Sequence, residues 1–178
     1  MRRWNGWGDE ATDYPLPNSA ARHLAALVGE GASLPDAAFE DVVASVPASR
    51  LAVHPGQTQG GQAQDPPLRI TTDAAERVRH ARGQSLPDWV ALRSGRLGAF
   101  PDGVAYPAST EEVRALLDYA RRAGVRLIPY GGGTSVVGHL TAQAGDRPVL
   151  TCTIRSRERS LRAGPSAPPH ATDPRVHR

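Results

Sequence analysis

The clearest pattern of apolar and polar positions lies in the second half of the chain. The run GVAYP at 103–107 is typical of a short strand, and STEEVRALLDYARRAG at 109–124 has the apolar period of an amphipathic helix. VRLIPY at 125–130 and RPVLT at 147–151 predict two further strands. A strand, a helix and a strand in about 30 residues predict a βαβ unit with parallel strands and a right-handed crossover. The apolar stripe predicted to be buried on its helix consists of Val113, Leu116, Leu117 and Ala120.

Both ends of this helix carry the expected signals. Ser109 and Glu112 have the spacing of a capping box. Arg121 and Arg122 complement the negative end of the helix dipole, and Gly124 closes the helix. The sequence therefore fixes this helix more firmly than any other element.

The beginning of the chain has no such period. Residues 2–17 contain two tryptophans among glycines and prolines, which predicts an extended arm that wraps onto another part of the protein. A helix follows in SAARHLAALVG, capped by Asn18 and stopped at Gly29. Its apolar stripe consists of Leu24, Leu27 and Val28.

Three more helices and a linker are predicted before the periodic half. The helix expected at Thr72–Ala81 should be capped by Asp73. The segment HPGQTQGGQAQDPP is rich in Gln, Gly and Pro, which is typical of a linker or a surface loop. The three helices are expected at Pro35–Val46, Thr72–Ala81 and Pro87–Arg93.

The amino-acid composition excludes several classes of function. All 21 basic residues are arginine, which excludes Schiff-base lysine chemistry and the lysine of a P-loop. Cys152 is the only cysteine, so disulfide frameworks and cysteine-rich zinc sites are excluded. No run approaches the roughly 18 to 20 apolar residues of a membrane span, and the N-terminus lacks the apolar core of a signal peptide. A cytoplasmic protein is expected.

The net charge of +3 is unevenly distributed. Residues 1–150 contain 15 arginines and 16 acidic residues, whereas residues 151–178 contain 6 arginines and 2 acidic residues. The basic surplus therefore belongs to the C-terminal segment, and the body of the protein has no electrostatic reason to bind nucleic acid.

Three consecutive glycines in PYGGGTSVVGH follow the second strand of the βαβ unit. Ligands bind at this end of parallel strands in open α/β sheets, and glycines allow successive N–H groups to surround an anion. A Rossmann GxGxxG motif does not fit, because Val136 occupies a required glycine position and no helical pattern follows. The residues alone leave two interpretations open, a phosphate-binding loop and a plain glycine turn.

The segment FPDGVAYPASTEEVRALLDYARRAGVRLIPYGGGTSVVG resembles the first half of the PCMH-type FAD-binding domain of FAD-linked oxidases. The arm RRWNGWGDE and the segment HARGQSLPDWVALRSG resemble the alkyldihydroxyacetonephosphate (alkylglycerone-phosphate) synthase branch of that family. The resemblance covers residues 2–151 and implies non-covalent FAD. His139 lies beyond the loop position that binds flavin covalently in some relatives, so no attachment is expected there. By this resemblance the FAD pyrophosphate would be held by Pro129, Tyr130, Gly131, Gly132, Gly133, Thr134 and Ser135.

The implied fold class is α+β, with an arm and helices followed by an incomplete PCMH-type subdomain built on a small parallel sheet. We expect an arm and helices at 1–53, a linker at 54–68, a partial FAD-binding domain at 69–151 and a disordered basic tail at 152–178. The composition changes abruptly at residue 152, and three interpretations remain open. They are a frameshift, a basic tail that binds nucleic acid or an acidic partner, and a natural terminal linker.

The resemblance also sets the functional expectation. Full-length relatives either exchange the acyl chain of an acyl-dihydroxyacetone phosphate for a fatty alcohol or oxidise 2-hydroxy acids, so their substrates are small or lipid-like. Because the family holds its isoalloxazine and substrate mainly with downstream residues, an FAD-binding fragment that is inactive alone is expected. The alternative is a non-catalytic remnant or a basic-tailed binding module. No catalytic or metal-binding residue is predicted.

Overall fold

The computed structural model describes residues 3–12, 15–31, 35–51 and 68–154. Most of the predicted linker and tail lies outside these described residues. The described elements, in chain order, are α1 (Asn18–Val28), α2 (Phe39–Ala44), β1 (Ile70–Thr71), α3 (Ala74–Arg79), α4 (Leu86–Ser94), β2 (Gly103–Ala105), α5 (Thr110–Ala123), β3 (Arg126–Tyr130) and β4 (Val149–Thr153). This mixture of helices with one small sheet confirms the α+β class.

The four strands form one sheet in the order β1-β2-β4-β3. β2 and β3 both run parallel to β4, which confirms the parallel strands of the βαβ unit. β4 lies between them, so the two strands joined by α5 are not neighbours. A fourth strand that was not predicted, β1, pairs antiparallel with β2 at the edge, so the sheet as a whole is mixed. With only two residues, β1 is too short to show a strand period in the sequence.

Helix α5 begins and ends as predicted, with one difference in its cap. The Ser109 hydroxyl accepts the Glu112 N–H at 3.2 Å, but the Glu112 carboxylate accepts the N–H of Ala108 rather than that of Ser109. Gly124 closes the helix with a left-handed φ of 65°. Of the predicted stripe, Leu116 and Ala120 are buried, whereas Leu117 is 43% exposed. The sheet beneath α5 is narrow, so it covers only the centre of that stripe.

The core is divided into two hydrophobic clusters. One lies between α5 and the sheet, where Leu116 and Ala120 pack with Ala105, Leu150 and Cys152. Burial raises the pKa of the Cys152 thiol. The structure continues β4 to Thr153, so the strand predicted at 147–151 is displaced by two residues. Cys152 is thus part of the core strand rather than of a tail.

The second cluster joins the helices of the N-terminal half. Its buried members include Val42 of α2, Val78 of α3 and Leu92 of α4. Trp4 packs against this cluster, with its ring centroid 5.3 Å from that of Phe39. The arm therefore contacts α2, as an arm that wraps onto another segment should.

The helices of the N-terminal half differ in detail from their predictions. No residue of α1 is buried, and its stripe of Leu24, Leu27 and Val28 is exposed. Its N-cap position is Pro17, with no side-chain hydrogen bond, so the Asn18 cap was wrong. α2 and α3 have six residues each and are shorter than predicted. The Asp73 cap is confirmed, since its carboxylate accepts the Glu76 N–H at 2.9 Å.

An ion pair between the half-exposed Arg50 and the buried Asp102 joins the N-terminal half to the sheet. Asp102 is 2% exposed, and its carboxylate receives bonds from Arg50 Nε at 3.0 Å and Nη2 at 2.8 Å. The Val149 N–H of β4 donates to the same carboxylate at 2.7 Å. Burial raises the pKa of the Asp102 carboxyl, but the bonds from Arg50 and Val149 outweigh it and hold the pKa below its usual value. Nearby, the buried Arg77 guanidinium donates to the Pro101 carbonyl at 2.6 Å.

Candidate functional site

The glycine loop begins at the carboxyl end of β3, where Tyr130 is the last strand residue. The Tyr130 carbonyl accepts the N–H of Ile154 at 3.2 Å, so β3 and the chain after β4 stay paired up to the start of the loop. The loop therefore lies at the edge where the parallel strands β2, β3 and β4 all end. This is the edge at which open α/β sheets bind ligands.

The backbone of the loop is open to a ligand. Gly131, Gly132 and Thr134 are exposed. A Cβ built at Gly131 would meet nothing within 4 Å, and one at Gly132 would meet only the Thr134 methyl at 3.7 Å. Within the described part of the chain, no hydrogen bond uses the backbone N–H groups of residues 131–134. Successive free N–H groups in an accessible turn are suited to an anion such as a phosphate.

Gly133 fixes the shape of the turn. It is buried, and its φ of 69° is in the left-handed region. A Cβ at this position would lie 2.7 Å from Cζ of the Tyr130 ring. Both the φ and this contact exclude larger residues, so the last glycine of the run is needed for the structure of the loop.

Three contacts hold the loop on the segment between α3 and α4. The Tyr130 hydroxyl lies 3.1 Å from the carbonyl oxygen of Arg79 and 3.3 Å from that of Arg82, and it donates between them. The Gln84 N–H donates to the Ser135 carbonyl at 2.6 Å. The third contact, from Thr141 to α4, lies beyond the glycines. Together they fix the loop at its beginning, its middle and its end.

The third contact depends on Asp88, which is 1% exposed. Thr141 Oγ1 donates to Asp88 Oδ1 at 3.3 Å, and Arg82 Nη1 lies 3.5 Å from the same oxygen. The other carboxylate oxygen forms a capping box with Ser85, whose hydroxyl donates to it at 2.6 Å. This capping box was not predicted, although the spacing S-x-x-D at 85–88 was a usable signal.

The Tyr130 hydroxyl provides a direct test of this anchoring. Tyr130→Phe should lower the free energy of unfolding by about 1–2 kcal/mol, because the Arg79 and Arg82 carbonyls lose a buried donor. Urea unfolding followed by circular dichroism measures the change. Tyr119→Phe is the matched control, since the buried Tyr119 hydroxyl has no partner in the described structure and its loss should cost almost nothing. Equal effects of the two variants would contradict the anchoring role.

His139 lies near the end of the loop, where its Nδ1 is 3.2 Å from Ser135 Oγ. Val136 and Val137, between the two, are 62% and 76% exposed. Of the residues expected to hold the pyrophosphate, Gly131, Gly132 and Thr134 are exposed, whereas Gly133 is buried and Ser135 is half-buried. Pro129 and Tyr130 are the last two residues of β3.

Behind the loop, His80 at the end of α3 packs against two tyrosines. Its ring centroid lies 4.8 Å from that of Tyr130 and 5.9 Å from that of Tyr106. His80 Nδ1 is also 2.8 Å from the Glu76 carbonyl oxygen. This histidine supports the anchor residue of the loop.

Other parts of the described structure offer less. A cleft of about 370 Å³ lies between the arm and α2, lined by Trp4, Phe39, Asp36 and their neighbours. It is formed by elements other than the glycine loop. Among the described residues, no group of three or more His, Cys, Asp or Glu side chains is placed to hold a metal ion. The glycine loop remains the best candidate for a ligand site.

Comparisons with known proteins agree with this placement. Residues 101–152, which run from the start of β2 into β4, match the family model described as an FAD binding domain. The alkyldihydroxyacetonephosphate synthase of Dictyostelium discoideum is 27% identical over 89% of this chain and 30% of its own length. Residues 101–152 are therefore similar to FAD-binding domains of this kind. FAD is the cofactor of this domain family, and the free N–H groups of the glycine loop fit its pyrophosphate.

The FAD-binding domain has further relatives. The mitochondrial D-lactate dehydrogenase (cytochrome) of Arabidopsis thaliana is 36% identical over 43% of this chain and 12% of its own length. A solved structure of an alkyldihydroxyacetonephosphate synthase shares the fold, with a TM-score of 0.60 at 23% identity over 85% of this chain and 30% of that one. The chain thus spans about a third or less of the length of these relatives. No described helix is long and apolar enough to cross a membrane.

Proposed function

We propose that this chain binds FAD non-covalently, with the loop from Pro129 to Ser135 around the pyrophosphate. The main observation behind this proposal is that the backbone N–H groups of residues 131–134 are free and lie at the carboxyl edge of the sheet. Gly131 and Gly132 leave room for phosphate oxygens to reach the backbone. Thr134 and Ser135 add hydroxyl donors beside them.

The anchors of the loop support this role. An anion site on backbone dipoles works only if the dipoles keep their orientation without the ligand. Tyr130, Gln84 and Asp88 provide that rigidity through bonds that do not use the ligand-facing groups. We therefore propose that the FAD-binding unit consists of residues 69–151 and includes the α3–α4 segment as a structural part of the cofactor site.

We further propose that the chain alone is an FAD-binding fragment without turnover. When bound, FAD supplies hydride and electron transfer chemistry. The residues of this chain bind and orient the pyrophosphate, and His139 is the only histidine of the loop. The chain matches about 30% of the length of an alkyldihydroxyacetonephosphate synthase. In the complete enzymes the substrate would be a lipid-like or 2-hydroxy acid molecule, held by other regions.

A charge placed in the loop tests the cofactor site. Gly131→Asp should reduce FAD affinity by at least about tenfold, because its carboxylate would face the pyrophosphate. Gly131→Asn is the matched control, since it has the same shape without the charge and the position is open. Flavin fluorescence titration gives the affinities. Gel filtration, with flavin absorbance followed at about 450 nm, shows whether the protein retains the flavin.

Two results would separate the proposed function from its alternative. Wild-type protein that stays colourless and does not bind added FAD would favour a non-catalytic remnant. Equal affinities for the Asp and Asn variants would show that FAD binds, but that its pyrophosphate is not at Gly131.

A further inference from the structure

The pyrophosphate loop has an unusual shortage of positive charge. From residue 127 to residue 142 the only ionisable side chains are Tyr130 and His139, and the chain contains no lysine. The arginines of the adjoining α3–α4 segment are directed elsewhere. The Arg79 guanidinium lies 4.3 Å from the Phe39 ring centroid, and Arg82 bonds to the Leu97 carbonyl and to Asp88. A doubly charged pyrophosphate would therefore meet backbone dipoles and one histidine.

That histidine contacts a hydroxyl expected to bind the anion. His139 Nδ1 lies 3.2 Å from Ser135 Oγ, and His139 is exposed while Ser135 is half-buried. The Val137 N–H also donates to Ser135 Oγ at 3.4 Å, and the hydroxyl has one proton of its own to donate. If His139 is neutral and unprotonated at Nδ1, that proton is donated to the imidazole. If His139 is protonated, Nδ1–H donates to Ser135 Oγ and the hydroxyl proton becomes free.

We propose that protonation of His139 converts Ser135 into a hydrogen-bond donor to the FAD pyrophosphate and adds a positive charge beside it. This deepens the proposed function and rests on it, because it assumes that the loop binds the pyrophosphate. FAD affinity would then rise as the pH falls. The switch belongs to two residues of this chain and leaves the backbone N–H groups unchanged.

The other titratable groups on the elements packed against the loop have fixed partners. Asp88 is bonded to Ser85 and Thr141, and it lies beside Arg82. The Tyr130 hydroxyl donates to backbone carbonyls. His80 and Glu76 contact each other behind the loop. On α3, Arg77 bonds to the Pro101 carbonyl and Arg79 lies against the Phe39 ring, and Arg93 of α4 pairs with Asp36. His139 is therefore the exposed group best placed to change the charge at the anion site.

The sign of the effect follows from histidine chemistry. Imidazole gains its proton between about pH 8 and about pH 5, and a charge-assisted hydrogen bond is about twice as strong as a neutral one. We expect FAD to bind about threefold to tenfold more tightly at about pH 6 than at about pH 8. The pyrophosphate diester keeps both negative charges over this range, so the ligand does not cause the change.

Three variants of the full chain test the switch by fluorescence titration with FAD at both pH values. His139→Asn retains an N–H donor near the Nδ1 position without a titratable charge, so its affinity should be independent of pH. Ser135→Ala removes the hydroxyl and should retain only the smaller effect of the charge. His23→Asn is the matched control, because His23 lies on α1 and should keep the wild-type pH dependence. Circular dichroism verifies that each variant is folded.

The possible outcomes are distinct. Wild-type protein that binds FAD equally well at both pH values would overturn the switch and leave the proposed function intact. A pH dependence that persists in His139→Asn would assign it to another group and also overturn the switch. No FAD binding at either pH would overturn both the proposed function and this inference. Loss of the pH dependence in His139→Asn, with its retention in His23→Asn, would support the switch.

Discussion

Gly83→Ala is expected to reduce FAD affinity by more than about tenfold and to lower the free energy of unfolding by about 1–3 kcal/mol. A Cβ at Gly83 would lie 2.5 Å from the Ser135 carbonyl oxygen and 3.2 Å from Asp88 Oδ2. The first contact is with backbone, so relief requires the loop to move away from the segment between α3 and α4. That movement would break the bond from the Gln84 N–H to the Ser135 carbonyl. The free N–H groups would then lose their fixed orientation.

The measurements are FAD titration and urea unfolding on the same preparations. Gly31→Ala is the matched control, because a Cβ there meets nothing within 4 Å and the backbone φ is not positive. It should leave both quantities unchanged. Normal FAD affinity in Gly83→Ala would show that close packing of the loop on the segment between α3 and α4 is unnecessary for cofactor binding.

Asp102→Asn is expected to lower the free energy of unfolding by about 2–4 kcal/mol. The variant leaves the Arg50 guanidinium and the Val149 N–H without a charged acceptor. It also removes the negative charge near the buried Arg77. Burial lowers the pKa of this guanidinium, and the charge of Asp102 only partly offsets that effect. Because these groups join residues 47–51 to β2 and β4, the whole domain should be destabilised.

The pH dependence provides a second test of the same ion pair. The pKa of Asp102 is lower in the folded protein than in the unfolded chain, where it is about 3.9. Its contribution to stability is therefore complete above the unfolded pKa and is lost as the pH falls through the folded pKa. Wild-type protein should lose stability in acid more steeply than Asp102→Asn.

Urea unfolding across the acidic range follows both effects. Asp118→Asn is the matched control, because Asp118 forms an exposed pair with Arg121 that contributes little. If Asp102→Asn and Asp118→Asn unfold at the same urea concentration, Asp102 does not hold the two halves together.

The elements that could be predicted are those with local signals. α5 has an apolar period, an N-cap at Ser109 and a glycine at position 124, and the structure begins and ends it accordingly. The Asp73 cap at the start of α3 was also recognisable from neighbouring residues alone. The glycine loop could be found because three glycines directly follow a strand, and the anion binding proposed for it depends on the backbone rather than on distant side chains.

The elements that were missed or wrong depend on distant residues. The pairing of β1 with β2 joins Ile70 to Ala105, and no residue near Ile70 predicts this pairing. Leu117 has the same apolarity as Leu116, yet the narrow sheet buries only Leu116. α1 has an amphipathic sequence, but no described element covers its apolar stripe. Periodicity shows which face could be buried, whereas the neighbouring elements determine whether it is.

The sequence by itself determined the βαβ unit, the position of the glycine loop after a strand and the resemblance to FAD-binding domains, because each is written in adjacent residues. Only the tertiary structure decided that β4 lies between β2 and β3 and that Asp102 joins the N-terminal half to the sheet. It also decided that Gly83 and Asp88 hold the loop. These contacts join residues about 50 positions apart in the chain, and such pairs carry no local sequence signal.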